Sequence, residues 1–170
     1  MDACACGFSD LTVSRDEIDQ RTRRGVAAIE ALVVEAVGQP SIRPHPERWS
    51  TLEYTAHVRD VLLTIRDRLV IGLVEHHPTF SSLHRDERIE LGLYRADTSA
   101  EVARELRAAS SMFLRLFAAI DTKALDRTVR YGNPDRTTRT LEWMGKQAVH
   151  EIEHHLDDME ENARLLAALD

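Results

Sequence analysis

The chain has 170 residues, with 22 Lys and Arg against 29 Asp and Glu and a formal net charge of −7 at pH 7. Hydrophobic residues make up 43% and charged residues 30%, the balance of a globular domain large enough to bury a core. Basic and acidic residues alternate, as in Arg59-Asp60 and Arg85-Asp86-Glu87-Arg88, so no basic face gathers to neutralise phosphates, which argues against nucleic acid as a partner. Apolar runs are far too short to span a bilayer. The start, Met1-Asp2, lacks the basic-then-apolar pattern of a leader, and Cys4 and Cys6 stand too close together to staple a fold. The expectation is one cytoplasmic domain over residues 1–170, with 1–13 a flexible segment.

Helical periodicity opens at about Asp16, with Ile18, Val26, Ile29, Leu32 and Val33 on one stripe, and runs to Val37 before the stop signal Gly38-Gln39-Pro40. A Pro-containing linker leads to Ser50-Thr51-Leu52-Glu53, a capping box that starts a second helix reaching about His76, where Pro78 ends it. The polar stretch Thr79 to Thr98 is longer than an ordinary connection and is a candidate for function. Thr98-Ser99-Ala100-Glu101 is a second capping box, opening a helix to about Ile120. Alternation at Thr128-Val129-Arg130-Tyr131 before the turn signal Gly132-Asn133-Pro134-Asp135 suggests a short hairpin. Thr140 then caps a last helix to about Leu166. These elements predict an all-α four-helix bundle with two long links.

Chemistry concentrates in histidine. His150 and His154 lie four apart on the last helix, so both rings project from one face, the spacing by which a helix offers two imidazoles to one metal. Alone the spacing is weak, since chance supplies such pairs. His57 sits beside the apolar stripe of the second helix, and if the two helices are neighbours it completes a three-histidine site with an open position. The core stripe of the last helix runs through Leu141, Met144, Ala148, Ile152 and either His155 or Leu156, and His155 is expected to pack or hydrogen-bond in the bundle. His150-Glu151-Ile152-Glu153-His154 also spells the HExxH of zinc peptidases, with Glu151 as base, but the chain ends before the third ligand such enzymes use. Glu53, one turn before His57, is a candidate to orient that ligand besides capping its helix. Arg59, or an arginine of the Thr79 to Thr98 link, is a candidate to bind an anionic co-substrate.

The run Trp49-Ser50-Thr51-Leu52-Glu53-Tyr54-Thr55-Ala56-His57-Val58-Arg59-Asp60-Val61 resembles the second-helix motif of DinB-like proteins, including the actinobacterial branch related to mycothiol-dependent maleylpyruvate isomerase. His150-Glu151-Ile152-Glu153-His154-His155-Leu156 resembles the last-helix motif of that branch, Cys6-Gly7-Phe8 an N-terminal element, and Tyr94 falls where a loop tyrosine is common. The departures are Glu151 and Glu153 around the histidine pair, and Cys-x-Cys where Cys-x-x-Cys is commoner. The resemblance implies a bundle binding one divalent metal through His57, His150 and His154, with zinc expected first and nickel, manganese or iron as alternatives. It further implies a transferase using a low-molecular-weight thiol of mycothiol or bacillithiol type, bound as thiolate. Assistance from Glu53 or Glu151 is allowed for, and so is a homodimer. The rival readings are a hydrolase activating water at the same metal, with Glu151 or Glu153 as base, and a metal- or small-ligand-binding protein without turnover.

Overall fold

Helices α1 (Glu17–Glu35), α2 (Thr51–Val74), α3 (Arg85–Glu90), α4 (Ser99–Ala119) and α5 (Leu141–Ala167) follow one another in a computed structural model that describes Cys6 and residues 8–35, 40–131 and 137–168. The four long ones form the bundle. Helix α2 packs on α4 and α5, and α1 packs on the same two from the other side, with α1 and α2 touching less. Three of the starts are those the caps dictate. Ser50 and Thr98 each accept from the amide three residues on while Glu53 and Glu101 reach back, and Thr140 accepts from the Trp143 amide. The expected end of α1 at Val37 and its stop at Gly38 lie outside the described residues, as does the turn at residues 132–136.

The hairpin is present: β1 (Thr128–Tyr131) pairs antiparallel with β2 (Thr137–Thr140) in the register Thr128 to Thr140 and Tyr131 to Thr137. Its outer edge is engaged as well. The Phe80 amide donates to the Arg130 carbonyl at 3.0 Å and the Arg130 amide donates to the Pro78 carbonyl at 2.8 Å. The link after α2 is therefore hydrogen-bonded to β1 as it leaves the helix. That link also holds α3, which sequence periodicity did not reveal. Its N-cap residue His84 has a left-handed backbone with φ of 54° and makes no side-chain cap, so the acidic first turn of Asp86 and Glu87 is the one start signal written there.

Core side chains from all four long helices meet along the bundle axis, among them Ile18, Ile29, Leu62, Ile65, Leu106, Phe113, Met144 and Ile152, each essentially unexposed. The approach of α1 to α5 depends on Gly25, where a β-carbon would collide with the Ile152 side chain. Gly25→Ala is expected to destabilise the fold by about 1–3 kcal/mol, the usual cost of overpacking a filled core, read as a fall of several degrees in a thermal melt. No described helix is long and apolar enough to cross a membrane.

Candidate metal centre

Helix α2 is covered around most of its circumference, with Leu52, Tyr54, Thr55, Ala56, His57, Val58 and Val61 all buried. His57 is consequently 3% exposed, and neither of its ring nitrogens has a hydrogen-bond partner. Leaving a buried polar group unpaired costs about 1–3 kcal/mol, so its surroundings should supply a reason. They do: His57 Nε2 lies 3.6 Å from Glu151 Oε2, and the same carboxylate oxygen lies 3.6 Å from His155 Nε2. These separations are long for hydrogen bonds. They match what a metal requires, because ligands about 2.0–2.2 Å from a tetrahedral ion stand roughly 3.3–3.6 Å from one another. Donor atoms of His57, Glu151 and His155 all fall within 4.8 Å of each other. Two imidazoles and a carboxylate form a set that suits zinc and other first-row divalent ions and leaves a coordination position open.

Each ligand except His57 is held from behind. His155 Nδ1 bonds Asp158 Oδ2 at 3.0 Å, which turns Nε2 toward Glu151. Asp158 is braced by Arg48, which donates to its carbonyl at 3.1 Å and approaches its carboxylate at 3.6 Å. Gln147 Nε2 donates to Glu151 Oε1 at 2.7 Å, leaving Oε2 between the two histidines. Such outer partners orient ligands and raise their basicity. The Trp49 ring meets His57 edge-on at 5.2 Å, and Tyr54 lies 5.2 Å from His155.

Two of the three charge states favour ligation, and the third means that an ion must displace a proton from His155. Burial pushes the His57 imidazole toward its neutral, ligating form. For Glu151 burial would raise the carboxyl, but His155 and His57 outweigh it and hold the group far below the usual carboxylate range. For His155 burial acts downward and is overcome by Asp158 and Glu151, so its pKa lies above the ordinary imidazole value.

The open side of the cluster faces a cavity of about 370 Å³ lined by His57, Glu151, Val61, Thr64, Ile65, Arg68, Tyr131 and the link residues Ser81 to Leu83 and Arg85 to Glu87. The long link after α2 thus supplies part of the cavity wall. Arg68 is committed to the frame, donating to the Tyr131 hydroxyl at 2.9 Å and to the Ser81 carbonyl. Arg85 is the link arginine on the cavity wall, whereas Arg59 is spent on Asp60, Asp97 and Glu105. Tyr94, buried, donates to Asp60 at 2.9 Å, and burial with that carboxylate beside it pushes its phenol up to about 12.

The three expected ligands are divided. His57 faces Glu151 and His155, while His150 and His154 gather with Cys6, whose Sγ lies 3.5 Å from His150 Nε2. Among the described residues no cluster of three donors contains both His57 and His150. The reason is helical rotation: one residue is about 100°, so the pair 150/154 and the pair 151/155 have the same i,i+4 spacing but different directions. Glu151 and His155 look at α2, and His150 looks at the N-terminal segment, where Phe8 stacks on it at 4.5 Å. Glu53 is occupied by Ser50 and by Arg43, at 2.6 and 2.8 Å, and makes no bond to His57. Glu153 receives a two-pronged bond from Arg21 of α1. Cys4 lies outside the described residues. Glu151 and His155 as ligands, with Asp158 and Gln147 behind them, were not identified from sequence. The signal available was the second i,i+4 pair on the inward stripe.

Residues 17–159 match the sequence profile of the DinB superfamily. Among solved structures the chain is similar to YfiT from Bacillus subtilis, described as a probable metal-dependent hydrolase with an unusual four-helix bundle topology. The TM-score is 0.74 at 17% identity, over 92% of this chain and 91% of that one, a likeness of fold. No curated protein matches the chain.

Proposed function

This chain belongs to the DinB superfamily, and we propose that it is a metal-dependent transferase acting on small molecules, with a divalent ion held by His57, Glu151 and His155 and a low-molecular-weight thiol as co-substrate. One observation carries the reading: a histidine buried to 3% exposure with both nitrogens unpaired, facing a carboxylate oxygen that a second histidine shares. An ion bound there supplies Lewis acidity, favouring the deprotonated form of a thiol or water beside it. A thiol, with an unperturbed pKa near 8.5, needs far less help to ionise than water near 15.7. The difference matters because Glu151, the nearest carboxylate, is committed to the two histidines and is not a free base. The chain's own residues do the rest. Asp158 fixes the His155 tautomer and Gln147 the Glu151 carboxylate. Val61 and Ile65 line the cavity with apolar surface, and Arg85 offers a cation to an anionic end of the co-substrate.

Hydrolysis is the second reading, favoured by Asp86 and Glu87 on the same cavity wall as carboxylates able to take a proton from water, and by the description of YfiT. Metal-loaded protein screened with mycothiol, bacillithiol, glutathione and no thiol separates the two. Turnover is expected only with a thiol present. Equal turnover in its absence would replace transfer by hydrolysis.

Asp158→Ala removes the group behind His155 while leaving all three ligands. It is expected to lower metal affinity about 10–100-fold, the usual loss when an outer partner goes, measured by competition with a chromophoric chelator.

A further inference from the structure

We propose that Cys6, His150 and His154 form a second metal site, for a thiophilic divalent ion of the zinc type, which clips the N-terminal segment to α5. Each residue presents a donor atom, and the three lie within 4.8 Å of one another. Cys6 Sγ and His150 Nε2 are 3.5 Å apart, and the His150 and His154 rings are 5.7 Å apart between centroids. A sulfur and two imidazole nitrogens are the soft-to-borderline donors that select zinc, cobalt or copper over magnesium and calcium.

Sequence proximity does not explain the meeting, since 144 residues separate Cys6 from His150. Contacts that need no metal bring the segment there. Phe8 stacks on the His150 ring at an interplanar angle of 17°, and the Arg21 guanidinium lies 5.9 Å from the Phe8 centroid. Arg21 is itself tied to Glu153 on α5 through bonds of 2.8 and 2.6 Å. Val13, 1% exposed, anchors the segment in the core. The donors are thus assembled before an ion arrives, which lowers the ordering cost of binding. On binding, the Cys6 thiol gives its proton to solvent and ligates as thiolate.

This site shares no ligand with the His57 centre, although His154 Nε2 lies 3.6 Å from the Asp158 carboxylate behind His155; the His57 centre contains no sulfur, and the test exploits that difference. Cobalt(II) is titrated into the metal-stripped full chain, following near-ultraviolet absorption from thiolate-to-cobalt charge transfer, with total cobalt measured after desalting. The expected result is a sulfur band saturating at about one equivalent and a total near two. Cys6→Ala and His150→Ala should each lose the band and one equivalent. His57→Ala should keep the band and lose the other equivalent. Cys6 is exposed, so Cys6→Ala reports on the site even where a histidine variant folds poorly. Absence of a sulfur band at saturating cobalt overturns the proposal, and so does a band undiminished in Cys6→Ala. Loss of the band in His57→Ala would likewise overturn it, by showing one shared centre. A sulfur band with only one equivalent in the wild type would uphold this site and count against the His57 centre.

Discussion

His57→Leu is expected to raise the melting temperature of the metal-free protein while abolishing metal uptake at the centre it shares with Glu151 and His155. The wild-type imidazole is buried with two unpaired nitrogens, and replacing such a group by an apolar side chain of similar size removes a desolvation cost of about 1–3 kcal/mol, while Glu151 loses His57 but keeps His155 and Gln147 beside it. At roughly 2–4 °C per kcal/mol for a domain of this size, the metal-free variant should melt a few degrees higher in calorimetry. Saturating metal should then reverse the order, because an ion present at about a thousand times its dissociation constant adds about 4.1 kcal/mol to the protein that binds it. A variant that metal stabilises as much as it stabilises the wild type at this centre would end the case for His57 as a ligand.

Metal affinity at the same centre is expected to fall as pH drops, approaching about tenfold per pH unit once His155 is protonated in the metal-free protein, through competition by one proton. The sign follows from the three ligands. His57 has its pKa lowered by burial and stays neutral as acid is added. Glu151 is held ionised by His155 and His57 against the effect of burial, and stays a carboxylate. His155, whose burial is outweighed by Asp158 and Glu151, sits above the ordinary imidazole value, so it takes up a proton first and sets the profile. Asp158→Asn should therefore shift the loss of affinity to lower pH, even as it weakens binding at neutral pH. Chelator competition from pH 8 to 5.5 reads both effects. Affinity that stays flat across this range would rule out imidazole ligation.

The bundle was legible because its signals are local. Ser50, Thr98 and Thr140 announce their helices, and each caps as the spacing requires. The α2 stripe put His57 at its side, next to the buried face on which the structure holds it. What sequence left open was the direction of two interlocked pairs on α5. His150 and His154 drew attention because both are histidines. The pair Glu151 and His155, rotated by one residue, is mixed in type and so looked like a base and a packing residue. The apolar stripe through Ala148 and Ile152 ends at either His155 or Leu156 by spacing alone; it is His155 that is buried there, and a histidine in that place points at whatever α2 presents. Asp158 and Gln147 are one turn from the groups they hold, too ordinary a spacing to stand out. The cavity wall was illegible for a different reason: it depends on a link whose path is set by β1, a contact between distant parts of the chain.

That path has a consequence for how molecules come and go. The link is fastened at its start by the Phe80 and Arg130 amides, at the next residue by Arg68 on the Ser81 carbonyl, and further on by Arg88, which bonds both Asp60 and the Leu83 carbonyl. A strap buckled at three points does not swing. Entry to the centre is then a matter of rotamers at the rim rather than of backbone hinging, and the dimensions of the doorway, more than any closing motion, decide which molecules are admitted.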